Sequence, residues 1–241
     1  MADHHCDLLV IGAGASGASV AYEAIRRGLS VAILEAGDIG GGTSCRSTKL
    51  LHGGVRYLEL AFKTLDLAQL QLVREALMER GHWLRTAPFL ADRLELVLPT
   101  KNWFDKTYYG LGLGLYDALS GKTGLGHSRR LSRDELVQAL PQLCPRQGGV
   151  AYSDGQFDDA RLNLLLALTA EQGGATLRRS CRVIGFERNP DGQLRAAISE
   201  TTTGQQERWV ARVIVNTTGI HADSIRCLAD PEAPQRLLTS R

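Results

Sequence analysis

Residues 7–38 read DLLVIGAGASGASVAYEAIRRGLSVAILEAGD, and this stretch decides the fold of the chain. Its pattern predicts a buried strand over 7–11, an amphipathic helix over 15–27 and a second buried strand over 31–34. Both predicted strands are continuous apolar runs, which is typical of strands in parallel sheets. A strand, a helix and a second strand in this order predict the first unit of a doubly wound α/β domain.

Three glycines connect the first predicted strand to the helix at the spacing G-x-G-x-x-G. Gly12 permits a tight turn, Gly14 lets the backbone approach a diphosphate, and Gly17 lets the helix pack closely on the strand. The free N–H groups at the start of the helix carry a partial positive charge that attracts the same diphosphate. Glu35 follows about 20 residues later and can accept hydrogen bonds from an adenosine ribose. The stretch predicts dinucleotide binding, and NAD and FAD domains share it.

Composition and charge argue against several other classes of protein. The chain has 241 residues, of which 44% are hydrophobic and 22% charged, as in ordinary globular proteins. A formal net charge of +2 does not favour nucleic-acid binding. The five cysteines lie far apart, so we expect no metal site, no disulfides and a reducing compartment such as the cytoplasm. We find no secretory signal and no apolar run that could span a bilayer, so any membrane contact is expected to be peripheral.

The segment after Glu35, residues 37–54, has the composition of a binding loop. It is rich in glycine and hydroxyl side chains, and it also carries Arg46, Lys49 and His52. Small residues let the backbone lie against a flat ring system, and hydroxyl and N–H groups can bond to ring heteroatoms and phosphate. Long loops in compact domains are often functional. A flexible linker is the alternative, but the basic side chains favour a functional loop.

The rest of the sequence leaves the nucleotide-binding pattern and later returns to it. Helices are predicted over about 65–84 and 104–119, and the aromatic residues and glycines of the second one suggest close packing. Further predicted elements belong to the returning pattern: a helix over about 158–172, meander strands over 181–188, 193–201 and 205–210, and a separate buried strand over 212–216.

We expect four segments along the chain. They are a first part of the nucleotide-binding domain (1–87), an excursion into a second domain (88–148), a second part of the nucleotide-binding domain (149–230) and the beginning of a further segment (231–241).

Four longer motifs resemble one family of flavoenzymes. They are GTSCRSTKLLHGGVRYLE (42–59), LVREALMERGHWLRTAP (72–88), LYDALSGKTGL (115–125) and YSDGQFDDARLN (152–163). All four are similar to the FAD-dependent glycerol-3-phosphate dehydrogenases, especially the mitochondrial-type branch. The resemblance implies an α/β fold in which a Rossmann-like FAD-binding domain, of the glutathione-reductase and amino-acid-oxidase type, is joined to a partial antiparallel substrate domain. It also implies that the chain is an N-terminal portion of such a protein.

The resemblance implies a reaction and its partners. Members of the family oxidise sn-glycerol 3-phosphate to dihydroxyacetone phosphate and pass the electrons through FAD to a quinone. A protein of this kind is expected in the cytoplasm or at the surface of the respiratory membrane.

The resemblance also implies a set of cofactor-binding positions in this sequence. They are Gly12, Gly14 and Gly17 at the diphosphate, Glu35 at the ribose, Thr43, Ser44, Ser47, Thr48 and Lys49 along the phosphates and flavin, Val183 at the adenine, and Thr217, Thr218 and Gly219 near the adenosine side.

Three residues are candidates for the chemistry of this reaction. Hydride leaves C2 of the substrate for the flavin, and a base takes the proton of the hydroxyl group. We propose His52 as this base, because the ordinary pKa of histidine is about 6.5, and Tyr57 is the second candidate. Structural support of the following turn is the alternative role for His52. Arg56 offers the planar cation that a phosphate dianion requires, and both Arg56 and Tyr57 occupy positions that the resemblance associates with the substrate.

The sequence departs from the family pattern at two positions, and it is compatible with two other functions. Cys45 stands where serine is usual, and Thr217 replaces alanine at a place where backbone segments pack closely. An oxidase or dehydrogenase of amino acids or other hydroxy acids would share this fold, and a catalytically silent FAD-binding fragment would share the cofactor site.

Overall fold

The computed structural model describes residues 2–54, 66–142 and 148–234, without the side chain of Lys122. The chain divides into two compact units. The terminal unit contains the residues up to Ser47 and those from Asp159 onward, and the insertion unit contains residues 48–158. This division differs from the expected one, because the segments 48–87 and 149–158 belong to the insertion unit and not to the nucleotide-binding part.

The described residues form ten strands and six α-helices, numbered here in chain order. The strands are β1 (Ala2–Ile11), β2 (Val31–Leu34), β3 (Leu50–Leu51), β4 (Ala91–Pro99), β5 (Arg129–Leu131), β6 (Gly149–Phe157), β7 (Thr176–Arg178), β8 (Cys181–Arg188), β9 (Leu194–Thr201) and β10 (Gln206–Asn216). The helices are α1 (Ala15–Arg26), α2 (Leu67–Thr86), α3 (Trp103–Ser120), α4 (Arg133–Ala139), α5 (Asp159–Gln172) and α6 (Ala222–Ala229).

The terminal unit is built on a six-stranded mixed sheet in the order β7–β2–β1–β10–β9–β8. The first four of these strands run parallel to their neighbours, and β9 and β8 continue the sheet with antiparallel pairing. Successive side chains of β1 point to opposite faces of the sheet. Leu8 and Val10 pack in one core with residues of α1 and α5, while Leu9 and Ile11 pack in the other with Trp209. Burial on both faces explains why the run 8–11 is apolar throughout.

The strand β10 corrects the predicted meander. We expected a third meander strand over 205–210 and a separate strand over 212–216, but one continuous strand covers 206–216. Its first half pairs antiparallel with β9, and nearly its whole length pairs in parallel with β1, from Ala2 with Glu207 to Ile11 with Asn216. No glycine or proline interrupts the run, so the chain passes from one kind of pairing to the other without a turn.

The insertion unit contains an antiparallel sheet in the order β3–β6–β4, with β5 also paired to β6. The strand β6 pairs along its full length with β4, from Gly149 with Pro99 to Phe157 with Ala91. Val73 and Leu77 of α2 form a buried cluster with Tyr116 of α3. Pairing of β6 with β4 is the physical reason why 149–158 belongs to this unit. Pairing of β3 with β6 and packing of α2 on α3 are the reasons why 48–87 belongs to it as well.

The helix α3 contradicts part of our expectation about packing. Tyr116 is buried as expected, but the side chains of Phe104 and Tyr108 are 73% and 44% exposed. The apolar residues of α3 therefore do not all belong to the core. In the described part of the chain, no helix combines the length and the apolarity needed to cross a membrane.

Gly17 of α1 provides a test of this packing. A Cβ atom at Gly17 would overlap the carbonyl oxygen of Gly12 and lie 2.7 Å from the hydroxyl oxygen of Thr217. We expect Gly17→Ala to lower the free energy of unfolding by about 1–3 kcal/mol, as in other overpacked cores.

Gly112→Ala is the matched control, because a Cβ atom at Gly112 in α3 would meet nothing within 4 Å. This change is expected to raise the free energy of unfolding by about 0.5–1 kcal/mol, since alanine favours the helix. Urea unfolding measures both effects. Equal effects of the two substitutions would contradict the close approach of α1 to β1.

Candidate cofactor site

The glycine turn lies between the end of β1 and the start of α1. Gly12 has a φ of +102°, which side-chain-bearing residues rarely adopt, and its N–H donates to the carbonyl oxygen of Leu34 at 2.8 Å. Gly14 is the N-cap of α1 and makes no side-chain cap of its own. Instead the Ser44 hydroxyl accepts a hydrogen bond from the N–H of Ala15 at 2.8 Å. The predicted turn is therefore formed, and a residue of the following loop reaches the start of the helix.

Glu35 ties this turn to the end of β2. Its Oε2 accepts from the N–H of Ala13 at 2.7 Å, and its Oε1 accepts from the N–H of Gly37 at 2.7 Å. Each carboxylate oxygen has two lone pairs, so a second acceptor direction remains on both for a ribose hydroxyl. The contact with the ribose stays a prediction.

The loop after Glu35 contains a short 3₁₀ turn over Thr43–Cys45. Gly40 has a φ of +68°, and its N–H donates to the carbonyl oxygen of Ala13 at 3.0 Å. The guanidinium of Arg46 donates to the carbonyl oxygens of Gly41 and Gly42 at 2.6 and 2.8 Å. The basic side chain in this loop therefore fixes the loop backbone.

Two residues of α5 support the same loop, and the sequence analysis did not assign them to the site. Asp159 is buried, and its Oδ2 accepts from both the N–H and the hydroxyl of Ser47, at 3.0 and 2.6 Å. Asn163 is also buried, and its Nδ2 donates to the carbonyl oxygen of Ala13 at 3.0 Å. Chain separations of 112 and 150 residues leave no local pattern that could have revealed these contacts.

The turn Thr217–Thr218–Gly219 closes the other side of the glycine turn. The hydroxyl oxygen of Thr217 lies 2.8 Å from the carbonyl oxygen of Ile11 and 2.9 Å from that of Gly12. The larger side chain that replaces the usual alanine is thus accommodated by a hydrogen bond to the backbone. The Thr218 hydroxyl donates to the side chain of Asn216 at 2.7 Å, and Gly219 has a φ of +58°.

These parts surround one open cleft of about 450 Å³ in the terminal unit. Val183 and Cys181 of β8 contribute to its wall, and burial raises the pKa of the Cys181 thiol, which disfavours the thiolate. The cleft brings together many of the predicted cofactor-binding residues, namely Gly12, Gly14, Glu35, Thr43, Ser44, Val183, Thr217, Thr218 and Gly219. Gly17 and Ser47 do not line the cleft. Gly17 lies against Gly12, which lines it, and Ser47 bonds to Asp159, which supports the loop.

Three of the remaining predicted site residues do not line this cleft. Thr48, Lys49 and His52 belong to the insertion unit, where Lys49 has a φ of +59° and the side chain of His52 is exposed. Arg56 and Tyr57 lie outside the described residues, so their predicted contacts with the substrate remain predictions.

The cleft fits an extended dinucleotide. The first turn of α1 holds no acidic side chain, so nothing there repels a diphosphate, and glycine at position 14 keeps the approach to its backbone open. A carboxylate lies at the end of β2, and an apolar wall is formed by β8. These are the parts that bind the diphosphate, the ribose and the adenine in dinucleotide domains of this type.

Comparison with known proteins identifies the class. Residues 7–241 match the sequence profile of the family described as FAD dependent oxidoreductase. The chain belongs to this family, its cofactor is FAD, and the predicted α/β fold with its FAD-binding domain is confirmed.

Individual relatives indicate a more specific activity within this family. The chain is 41% identical to the mitochondrial glycerol-3-phosphate dehydrogenase of Macaca fascicularis and 40% identical to that of Arabidopsis thaliana. These matches cover 94% and 97% of this chain but only 32% and 38% of the relatives. The solved glycerol-3-phosphate dehydrogenase of Bacillus halodurans, complexed with FAD, is 26% identical to this chain, with a TM-score of 0.70. The match covers 94% of this chain and 36% of the Bacillus halodurans chain. The chain therefore spans about a third of the length of these relatives.

Asp159→Ala tests the support of the binding loop. We expect the dissociation constant of FAD to rise about tenfold or more, because hydrogen bonds to a charged group contribute about 1.5–3 kcal/mol and Ser47 would lose both of its bonds to Asp159. Fluorescence titration of the flavin-free protein measures the change.

Glu171→Ala, at the exposed end of the same helix, is the control and is expected to leave FAD affinity unchanged. If Asp159→Ala folds normally and binds FAD as tightly as the unmodified protein, Asp159 does not support the site.

Proposed function

We propose that the protein containing this chain oxidises sn-glycerol 3-phosphate to dihydroxyacetone phosphate with FAD as hydride acceptor and passes the electrons to a quinone. The observation that carries the proposal is 40–41% identity to glycerol-3-phosphate dehydrogenases over nearly the whole chain. The cleft of the terminal unit supports it, because it supplies the parts of an FAD site. Since the chain spans about a third of its relatives, the activity is proposed for the complete protein.

The terminal unit would hold the cofactor. Gly12, Gly14 and the start of α1 would bind the diphosphate, Glu35 the ribose, and the backbone of Val183 the adenine. Further residues are assigned to the phosphates, the flavin and the adenosine side by the resemblance: Gly17, Thr43, Ser44, Ser47, Thr48, Lys49, Thr217, Thr218 and Gly219. When bound, FAD supplies the acceptor for the hydride from C2 of the substrate.

Side chains of residues 52–57 would act on the substrate. Arg56 would bind the phosphate through a planar pair of N–H donors, which gives both charge and orientation. His52 or Tyr57 would accept the proton of the C2 hydroxyl group. The exposed side chain of His52 supports this assignment, because a base must be accessible to an incoming substrate.

Flavin reduction by substrate tests the reaction itself. We expect the absorbance of protein-bound flavin to bleach under anaerobic conditions on addition of sn-glycerol 3-phosphate, and to persist on addition of glycine or other amines. The protein should be expressed from the complete open reading frame that contains this chain. Bleaching by an amine alone would favour an amino-acid oxidase, and a flavin that no candidate substrate reduces would favour a silent FAD-binding protein.

Arg56→Ala tests the proposed phosphate site. We expect the KM for sn-glycerol 3-phosphate to rise at least tenfold while flavin content stays the same, because the lost hydrogen bonds involve a charged group and contribute about 1.5–3 kcal/mol. Glycerol, which lacks the phosphate, serves as the control substrate and should be oxidised equally poorly by both proteins. If the flavin is lost instead, Arg56 belongs to the cofactor site.

We further propose that α3 contacts the surface of a membrane, where a quinone would be available. The exposed residues of α3 include no charged side chain: Trp103, Phe104, Tyr108, Leu111, Gly114, Leu115 and Ala118. Its charged residues are only partly exposed, and two of them bond inside the unit, Lys106 to the carbonyl oxygen of Leu131 and Asp117 to the N–H of Ser128. A continuous apolar face of this kind is typical of helices that lie in a membrane interface or cover a partner.

Leu111→Glu tests this contact with vesicles of phosphatidylethanolamine and phosphatidylglycerol. The side chain of Leu111 is 69% exposed, and we expect the substitution to lower the cosedimented fraction several-fold, because it places a charge in the proposed interface. Leu72→Glu on α2 is the matched control, since Leu72 is also exposed but lies on another helix. Equal effects of both substitutions, or association of protein copies without vesicle binding, would contradict a membrane contact through α3.

A further inference from the structure

A buried ion pair lies in the interior of the insertion unit. Nη1 of Arg80 in α2 donates to Oδ1 of Asp154 in β6 at 2.8 Å, and the two side chains are 2% and 1% exposed. Nη2 of Arg80 lies 3.2 Å from the hydroxyl oxygen of Ser120, which itself donates to the carbonyl oxygen of Tyr116. Burial raises the pKa of Asp154, and the hydrogen bonds from Arg80 and Tyr116 oppose this effect.

The phenol of Tyr116 connects this pair to the chain segment after β3. The hydroxyl of Tyr116 donates to Oδ2 of Asp154 at 3.1 Å, and the N–H of Gly53 donates to the same hydroxyl oxygen at 2.6 Å. Burial raises the pKa of Tyr116 far above its ordinary value, so the phenol keeps its proton. It can therefore donate to the carboxylate and accept from the amide at the same time.

The amide held in this way belongs to the residue that follows His52. Gly53 and Gly54 are buried, whereas the side chain of His52 is exposed. A Cβ atom at Gly53 would lie 2.7 Å from the hydroxyl of Tyr116, and Gly54 has a φ of +75°. Both positions thus require glycine, and the backbone next to the imidazole is fixed from inside the unit.

Stability alone is a weak explanation for these groups. The desolvation of a buried ion pair often cancels its Coulombic gain, and apolar residues of similar volume can stabilise a core equally well. An apolar side chain at position 116 could fill the same space but could not accept the Gly53 N–H. What this network provides and an apolar core would not is the oriented hydroxyl oxygen of Tyr116, which accepts from the N–H of Gly53, the residue next to His52.

We propose that Tyr116 is a positioning residue that orients His52 for proton abstraction, with Asp154 and Arg80 fixing the phenol. The proposal rests on the proposed function, because it assigns the role to a base in the oxidation of sn-glycerol 3-phosphate. Tyr116 itself need not touch the substrate.

Tyr116→Phe tests the proposal in the FAD-loaded protein expressed from the complete open reading frame. We expect an unchanged flavin content and a rate constant of anaerobic flavin reduction that falls about tenfold, since small errors in positioning are costly in catalysis. In the His52→Gln background the same substitution should cause no further loss, because its effect passes through His52. Tyr109→Phe is the control, because it removes a phenol hydroxyl from the same helix outside this network. The flavin of this variant should be reduced by the substrate at the normal rate.

Hydrogen exchange gives a readout that does not depend on turnover. The amide of Gly53 should be protected in the unmodified protein and exchange at least tenfold faster in Tyr116→Phe. If Tyr116→Phe fails to fold, Ser120→Ala provides a milder change, and we expect a smaller rise in the Gly53 exchange rate.

The outcomes separate this proposal from the proposed function. If the unmodified protein is not reduced by sn-glycerol 3-phosphate, the proposed function fails, and with it the role of Tyr116 in positioning a base, whatever the exchange of Gly53. If the flavin of the unmodified protein is reduced, but Tyr116→Phe changes the rate constant of flavin reduction by the same factor with His52 and with His52→Gln, only the positioning role fails. Fast hydrogen exchange of the Gly53 amide in the unmodified protein would also overturn the positioning role of Tyr116.

Discussion

The close approach of α1 to the end of β1 is the constraint on which the terminal unit depends. A side chain at Gly17 would overlap the carbonyl oxygen of Gly12, and Gly12 itself adopts a backbone conformation that favours glycine. Thr217 follows β10 and reaches the same point, where its N–H donates to the carbonyl oxygen of Ile11 and its hydroxyl can donate to that of Gly12. The turn is therefore held between the helix and the 217–219 segment, and the start of α1 faces the cleft.

Side chains around the turn bind backbone N–H and C=O groups of the turn and the following loop. Glu35 accepts from Ala13 and Gly37, Ser44 accepts from Ala15, and Asn163 donates to the carbonyl of Ala13. Ala13 is buried, and its backbone polar groups would be costly if unpaired. The contacts with Ala15 and Gly37 join the start of α1 and the end of β2 to the loop that surrounds the cleft. A cleft arranged in advance loses less conformational entropy when the cofactor binds.

The sequence predicted the parts of the site that depend on local patterns. The strand, glycine turn, helix and second strand with Glu35 are contiguous, so the periodicity of the apolar residues and the glycine spacing were sufficient. The support from Asp159 and Asn163 could not be predicted, because it depends on packing between segments more than a hundred residues apart. The continuity of β10 was missed because it depends on pairing with β1, which lies at the other end of the chain.

The insertion unit shows the same division between local and non-local information. The helices α2 and α3 begin and end within about two residues of the predicted positions, since helical periodicity is local. The exposed apolar face of α3 and the contact of Tyr116 with Gly53 depend on which side of each helix meets the sheet. No short pattern in a single sequence predicts which side of a helix will pack against the sheet.

The identity of the bound cofactor tests the central claim most directly. Protein expressed from the complete open reading frame that contains this chain should be purified, incubated with FAD and NAD together, freed of excess ligand and denatured to release what it holds. The account predicts about one equivalent of FAD per chain and a flavin absorbance in the intact protein. A colourless protein, or one that releases only the nicotinamide dinucleotide, would contradict it.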